Sequence, residues 1–426
     1  MRAMILGLLT TLLAVGHAGF ARSEIDAADG AKEPLRLTNV LAEARERNPE
    51  LRAARERARA AAAVPRQVSA LDDPTFAWES WNVPNSLAID RADNNIFRLS
   101  QKVPFPGKRR LAGEVAAREA AVQDRDAAAV ELDVVAEVKR AYFDLWQAHQ
   151  NLRVYNRERT LLERFARTAE RRYGTGDVPQ TDVLRAHVEL TRTVNRVTTE
   201  DLAIASARAE LNALLSREPS EALGVPEESP LPDLDDTPAA LVGLALERRP
   251  ELAAQAAAVE REENATRLAQ RSYWPDFEFS VGRFVNYDAP DGFGAMASVT
   301  IPLAYRSKYD AAVSEARARL SAAQADLRRL QDRVRRDVEQ AFLRARTARL
   351  QHDLFVTTHI PQTEQTLRVS EGAYETGAID FLSLIDTVRA IEAVHIEHIE
   401  AAAALEKAYA DIERAVGTEI RNGGGR

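Results

Sequence analysis

The fold is decided by residues 108–172, which read KRRLAGEVAAREAAVQDRDAAAVELDVVAEVKRAYFDLWQAHQNLRVYNRERTLLERFARTAERR. This stretch contains no proline and one glycine, Gly113, while Ala, Leu, Glu and Arg, all good helix formers, fill most positions. At ~1.5 Å per residue the composition predicts a helix of roughly 97 Å, far longer than the helices of globular domains. Such a rod needs partners along its whole length, so we expect a chain built on long packed helices.

An apolar seam runs along this rod. Its positions alternate in steps of three and four, with a histidine in the one polar place: Val135, Val138, Tyr142, Leu145, His149 and Leu152. A repeat of 3.5 residues predicts left-handed supercoiling of neighbouring helices, although the core of an ordinary helical bundle is the alternative interpretation. The turn at 173–177 predicts that residues 108–216 fold into one long helical hairpin.

Composition excludes several classes of function. The 426 residues are 45% hydrophobic but only 6% aromatic, which suits long helices better than a large compact core. The net charge of -8 gives no electrostatic support for binding nucleic acid. Cysteine is absent, so disulfides, thiolate metal sites and a lipid anchor on cysteine are excluded.

Residues 1–21 have the three parts of a secretory signal peptide. Arg2 precedes an apolar run over 4–15, and small residues follow up to Ala21. The apolar run is shorter than the ~20 residues that a membrane-spanning helix needs. We therefore expect an exported protein whose signal peptide is removed.

The chain is an internal duplication. We predict a first structural repeat over 22–216, a proline-rich linker rather than core over 217–238, a second repeat over 239–417 and a disordered tail over 418–426. Four landmarks recur in the same order: ERNPEL at 46–51 and ERRPEL at 247–252, VPF at 103–105 and IPL at 301–303, VKRAY at 138–142 and VEQAF at 338–342, and YGTG at 173–176 and YETG at 374–377.

Each repeat is predicted to contain a helix beginning at or just before Asn48-Pro49 or Arg249-Pro250, then two β segments, then a long helical hairpin. The first rod of the second hairpin is expected over 307–372. The β segments are predicted at 75–83, 95–103, 277–284 and 294–301.

The β segments alternate between apolar and polar residues, as in Phe97-Arg98-Leu99-Ser100, which predicts strands with one apolar and one polar face. Their length is close to that of a tilted strand that crosses a bilayer. A small soluble sheet that caps a helical bundle is the alternative. If the strands cross a membrane, four of them cannot close a barrel, so several chains must share one.

The chain resembles the TolC-like outer-membrane efflux protein family over residues 35–417. The resemblance is carried by the duplicated Pro-Glu-Leu starts, the strand pair that leads into PFPGKR at 104–109, and the duplicated Tyr-x-Thr-Gly turns. It implies a mainly α chain with four strands, and a homotrimer in which helical hairpins form an α-barrel through the periplasm and twelve strands form a β-barrel in the outer-membrane lipid.

The resemblance also implies a function. Its members are exit ducts of tripartite pumps and dock on a periplasmic adaptor and an inner-membrane transporter. The junction at 104–109 is most similar to members paired with resistance-nodulation-division pumps for heavy-metal cations. We therefore expect a passive efflux duct for small molecules, with heavy-metal cations as one substrate class, and neither a cofactor nor a resident metal.

The resemblance places a gate at the hairpin turns, where tyrosine, aspartate and arginine link neighbouring coils and aspartates narrow the pore. Ile379 stands where the family has the arginine, and Ser383 replaces one pore aspartate. Asp182 and Asp380 have a purely structural alternative, in which they cap or start the returning helices. The expected tip residues are Tyr173, Gly176, Asp177, Asp182, Tyr374, Gly377, Asp380 and Asp386.

Enzymatic motifs are missing from the sequence. His395 and His398 lack the spacing of a zinc protease; they share one helix face and are interpreted either as two metal ligands without a third or as a solvated face. A nucleophilic cysteine and a Gly-x-Ser-x-Gly turn are absent, so we expect no enzyme. Two rival functions stay open: a duct for type I protein or peptide secretion, and an exported soluble coiled-coil scaffold. A periplasmic adaptor is disfavoured because it needs one hairpin, not two.

Overall fold

A computed structural model gives the structure of most of the chain. The predicted signal peptide and the last six residues of the predicted tail lie outside the described residues, as does part of the predicted linker. The described residues are 33–85, 87, 89–228, 231 and 237–420.

The two repeats have the same order of elements. The first contains α1 (Leu37–Arg47), α2 (Pro49–Ser69), β1 (Thr75–Trp81), β2 (Asn94–Val103), α3 (Lys108–Thr175) and α4 (Gln180–Leu214). The second contains α5 (Pro238–Arg248), α6 (Pro250–Arg271), β3 (Asp276–Asn286), β4 (Gly292–Thr300), α7 (Asp310–Leu354), α8 (Ile360–Glu375) and α9 (Phe381–Val416).

The predicted helix of each repeat begins at the expected proline, as α2 and α6, but a short helix that was not predicted precedes each proline. Residues before proline avoid helical geometry, and Asn48 breaks the chain into α1 and α2. The Asn48 side chain then accepts hydrogen bonds from the backbone N–H groups of Glu50 at 3.0 Å and Leu51 at 3.1 Å. Asn48 therefore caps α2 in the usual way of a helix N-terminus.

The four strands form one antiparallel sheet in the order β1-β2-β3-β4. The pairing places Phe97 opposite Trp78, and Leu99 opposite Phe76 and Val281. Directly opposed residues share a face, so these side chains lie together on one apolar face. The predicted alternation is therefore confirmed by the register.

The apolar face of this sheet is exposed. Phe76 is 66% exposed and Phe293 is 86% exposed, although both are large apolar side chains. A small sheet that caps a helical bundle would bury this face against helices, so that alternative does not fit. The opposite face carries polar pairs such as Lys102 with Glu278 and Ser100 with Ser280.

The predicted seam on α3 is confirmed as core. Val135, Val138, Leu145 and their seam neighbours are buried in a cluster with α1 and α4. The hydroxyl of Tyr142 in this seam donates to the backbone oxygen of Leu35 at 2.8 Å. The seam therefore holds both the long hairpin and the segment that precedes α1.

The predicted linker differs in one respect from the expectation that it is not core. Leu223 is only 2% exposed and joins the core cluster of the first repeat. The backbone N–H of Leu35 donates to the oxygen of Val225 at 2.9 Å, which holds this segment against α1 and α3. The described part of the linker therefore packs against the helices, because this backbone hydrogen bond holds it there.

The first rod of the second hairpin was predicted as one long helix. The structure instead has π-helical turns at Tyr305–Tyr309 and Phe355–His359. The second of these lies between α7 and α8, directly before Pro361. Proline lacks an N–H group and its ring crowds the carbonyl four residues earlier, so the helix widens there. The rod of the first hairpin lacks proline and stays regular over Lys108–Thr175.

Charged side chains join the two repeats. Lys139 on α3 and Glu413 on α9 form an ion pair whose side chains are 10% and 7% exposed. Arg414 on α9 also forms an ion pair with Asp133 on α3. Within the part of the chain that the structure describes, none of the helices is both long and apolar enough to cross a membrane.

Candidate gate at the hairpin tips

The tips of the two hairpins pack against each other through an apolar core. Both hairpins contribute to it, so neither tip moves without disturbing the other. We call this cluster the tip core; it is built from Leu162, Phe165, Ala166, Ala169, Ala186, Tyr374, Phe381, Leu384, Ile385 and Val388.

Both tips reverse the chain through a glycine in the left-handed region, Gly176 with φ 82° and Gly377 with φ 76°. The Asp177 N–H donates to the oxygen of Arg172 at 2.9 Å, and the Ala378 N–H donates to that of Ala373 at 2.8 Å. These six-residue closures end helices in the Schellman manner, and only glycine adopts the required φ without strain.

Tyr374 lies in the tip core and is only 2% exposed. Arg172 of the other hairpin donates from Nη1 to the Tyr374 backbone oxygen at 2.6 Å, and its guanidinium lies 5.2 Å from the centre of the Tyr374 ring. The Tyr374 hydroxyl has no hydrogen-bond partner among the described residues. Burial and the nearby Asp182 carboxylate raise the pKa of this phenol, so it stays neutral.

Asp182 lies at the start of α4 and is 7% exposed. It does not cap α4, since Pro179 occupies that position. Burial raises the pKa of Asp182, and Arg185, whose Nη1 lies 3.9 Å from Oδ1, opposes this shift. Asp182, Tyr374 and Arg172 therefore come together where the hairpins meet.

The remaining predicted tip residues lie at the surface. Asp380 caps α9, because its Oδ1 accepts from the Ser383 N–H at 2.9 Å, and these Ser383 hydrogen bonds lower its pKa. Asp380 therefore caps its returning helix, whereas Asp182 lies in the first turn of α4 without capping it. Tyr173 is 47% exposed and makes no part of the tip core.

The exposed aspartates differ in how their charge is balanced. Asp386 accepts from Arg389 Nη1 at 3.2 Å, and Arg389 also contacts Glu189 at 3.2 Å. Asp177 accepts a hydrogen bond from the Thr175 hydroxyl at 2.6 Å. Asp386 therefore contributes less negative potential than an isolated carboxylate would.

A second contact between the hairpins lies farther from the tips. Glu158 on α3 and Glu392 on α9 are buried side by side, and Arg196 on α4 contacts both, with its Nη1 3.8 Å from Glu158 Oε2. Burial and the adjacent Glu392 raise the pKa of Glu158 to about 8. At neutral pH the pair therefore shares a proton instead of carrying two full charges.

Sequence reasoning missed Arg172. Ile379, which stands where the resemblance implies an arginine, packs against the tip core, while Arg172 supplies a guanidinium from the opposite hairpin. The sequence carried no signal for this exchange, because the second repeat has Ala373 at the matching place.

The matched family profile decides the identity of the fold. The profile described as "Outer membrane efflux protein" matches residues 40–217 and 241–418, once for each repeat. The chain belongs to the outer membrane efflux protein family. A curated relative, the cobalt-zinc-cadmium resistance protein CzcC of Cupriavidus metallidurans, is 23% identical over 324 residues, which cover 75% of this chain and 76% of CzcC.

Solved channels share the fold of this efflux protein. The outer-membrane channel OprN superposes with a TM-score of 0.75 at 18% identity, covering 89% of each chain. The open state of the MtrE outer-membrane channel of Neisseria gonorrhoeae superposes with a TM-score of 0.72 at 16% identity, covering 99% of each chain.

Membership of the outer membrane efflux protein family gives the general function. The protein is an outer-membrane efflux channel with a helical extension into the periplasm, and it is not an enzyme. This rules out the soluble scaffold. Across the described ranges, no group of three or more His, Asp or Glu side chains is placed to hold a metal ion.

Proposed function

We propose that the protein is the homotrimeric exit duct of a tripartite efflux pump, with a gate at its periplasmic tips. The observation that carries this proposal is the sheet of four strands, whose two outer edges, β1 and β4, pair with no other strand of the described chain. An open edge in lipid leaves backbone groups unsatisfied, so the edges must pair with neighbouring copies. Three copies supply twelve strands, enough for a barrel with a lumen.

Exposed heptad faces on the helices support the same assembly. On α4 the exposed positions advance in steps of four and three, and α7 presents a second such face. The α4 face consists of Leu184, Val188, Thr191, Asn195, Thr198 and Leu202, and the α7 face consists of Leu343, Thr347, Leu350 and Leu354. Such seams pack against other helices in coiled coils, and a neighbouring chain supplies them in a ring.

The tip contacts support a closed gate. Arg172 joins the first hairpin to Tyr374 in the second, and the tip core seals the apolar surface between them. Opening must separate or slide these contacts. Asp177, Asp380 and Asp386 remain exposed beside this contact, and threefold symmetry would repeat each of them around the pore, which favours cations.

The proposed substrates are small molecules, with heavy-metal cations as one class. This part rests on the distant likeness to CzcC, a cobalt-zinc-cadmium resistance protein, and on the exposed aspartates. The pump would contain a periplasmic adaptor and an inner-membrane transporter, for which the resistance-nodulation-division type is proposed. These transporters supply the energy, so the duct itself is passive.

The absence of cysteine makes the barrel testable by cross-linking. Cysteines placed in the edge strands, by Ala77→Cys in β1 and Met296→Cys in β4, should join chains into dimers and trimers with a short bis-maleimide. The control pair, Leu99→Cys and Val281→Cys, lies directly opposed in β2 and β3 and should cross-link only within one chain.

The trimer is supported if the edge pair gives a ladder that stops at three chains in outer-membrane fractions. A ladder that continues beyond three chains, or edge cysteines that link only within one chain, would refute it. Export is then tested by deleting the gene and measuring the minimum inhibitory concentrations of Zn²⁺, Co²⁺ and Cd²⁺. Unchanged metal tolerance with lowered drug tolerance would remove metals as the substrate class.

A further inference from the structure

A cavity of about 330 Å³ lies away from the tips, between α3, α9 and the π-helical break that precedes α8. Apolar side chains such as Phe143, Trp146 and Ile399 line most of it. The polar part of the lining contains three histidines, His352, His395 and His398, together with Gln150, Arg153, Arg157, Glu228 and Glu406. The sequence had linked His395 with His398 only, and the fold brings His352 to them from the end of α7.

Two of these rings have a spacing that suits a shared ion. The ring centres of His352 and His398 lie 5.0 Å apart. Two imidazoles that hold one tetrahedral ion have ring centres about 5 Å apart, because each Zn–N bond is about 2.0 Å long. The observed ring spacing therefore matches that of two imidazoles on one ion.

One buried ring nitrogen lacks a partner, and the other ring is held by a carboxylate. His398 Nε2 is buried and has no hydrogen-bond partner among the described residues. His352 Nδ1 lies 3.4 Å from Asp353 Oδ1, and this carboxylate is itself held by Arg349 at 3.1 Å. A carboxylate on one ring nitrogen orients a histidine and leaves the other nitrogen for a metal.

A core histidine without a ligand is the competing interpretation, but it leaves a buried ring nitrogen of His398 unsatisfied.

We propose that His352 and His398 bind one divalent transition-metal ion, such as Zn²⁺, Co²⁺ or Ni²⁺, in this cavity. Imidazole nitrogens favour these ions over Mg²⁺ and Ca²⁺, which prefer oxygen ligands. The site has two protein ligands, and water completes the coordination. His395, one helical turn from His398, lies in the same lining and is the nearest further imidazole. The proposed ion is not the exported substrate, because it would stay bound to the wall of the duct.

The test uses the full-length protein in detergent, without a histidine tag and after treatment with EDTA. Calorimetric titration with Zn²⁺ should show one ion per chain. The double variant His352→Asn with His398→Asn should lose this stoichiometric binding. His187→Asn is the matched control, because His187 is exposed and contacts Glu170 at 3.0 Å, and it should bind as the wild type does.

A second measurement does not depend on the double histidine variant folding. Co²⁺ bound to the wild type should give visible absorption typical of nitrogen ligation and should quench the fluorescence of Trp146, which lines the same cavity. Trp146→Phe should remove that quenching. Absence of stoichiometric binding in the wild type, or equal binding by the double variant, overturns the proposal, as does Co²⁺ binding that leaves Trp146 fluorescence unchanged.

Discussion

Replacement of Arg172 by alanine is expected to loosen the gate. Arg172 is the one charged side chain of the first hairpin that donates directly to the Tyr374 backbone among the described hydrogen bonds. Alanine removes this bond and the contact with the Tyr374 ring, but it leaves the helix intact because alanine is the best helix former. The tip core stays in place, so the variant should fold and assemble.

The size of the effect follows from two contacts. A hydrogen bond to a charged group contributes about 1.5–3 kcal/mol, and a cation–π contact at a partly exposed site adds about 0.5–1 kcal/mol. Arg172 is partly exposed and water replaces some of what is lost, so we expect about 2 kcal/mol for each chain. This corresponds to a rise of about 30-fold in the equilibrium constant for separating the tips.

Single-channel conductance in planar bilayers measures this change directly. The Arg172→Ala channel should open more often, or to a higher conductance, than the wild type. The control is Arg171→Ala, which removes the same charge from the neighbouring position, where the guanidinium contacts only the exposed Thr168 hydroxyl at 3.1 Å in the described bonds. This control should conduct as the wild type does.

Two results would refute the reasoning. If Arg172→Ala conducts no more than the wild type, the contact with Tyr374 does not hold the gate. If Arg171→Ala opens the channel equally, the effect comes from the net charge of the tip and not from the contact.

Three further predictions concern stability, measured as the melting temperature of the detergent-solubilised protein. Lys139→Ala should destabilise by about 3–5 kcal/mol by leaving Glu413 buried without its cation, whereas Lys139→Met with Glu413→Leu should recover most of the loss. Because the pKa of Glu158 is raised to about 8, its contribution to stability is full below pH 4.5 and is lost as the pH rises through about 8. Glu158→Gln should flatten the dependence of the melting temperature on pH, and an unchanged pH dependence would contradict this prediction. Gly176→Ala should cost about 1–2 kcal/mol because φ is 82°, whereas Gly174→Ala in the last turn of α3 should be neutral or stabilising, and equal effects would refute the strain argument.

Several features follow from local sequence. Helix formers without proline predicted α3, and the alternation of apolar and polar residues predicted all four strands to within two residues at every end. The duplicated turns predicted the two hairpins, since Gly176 and Gly377 are the residues that adopt positive φ there. These signals are local, because helix propensity, strand alternation and turn conformation depend on residues close in the chain.

Other features depend on which segments meet in space. Arg172 and Tyr374 are in contact although they lie 202 positions apart in the sequence, and His352 and His398 lie close together on different helices. No local pattern marks these partners, because each would be a plausible surface residue on its own helix. The short helices α1 and α5 were also not predicted. Each ends just before a proline, and that proline was interpreted only as the start of the next helix.

The sequence by itself determined the long helices, the strands, their duplication and the turns, because the physical causes of those elements act within a few residues. The tertiary structure decided which residues join the two hairpin tips, which histidines share a cavity, and that Leu223 in the described part of the linker packs into the core. Those features depend on how hairpins from distant parts of the chain pack together. Many charged and apolar residues could make such contacts, and burial and geometry in the folded chain decide which ones do.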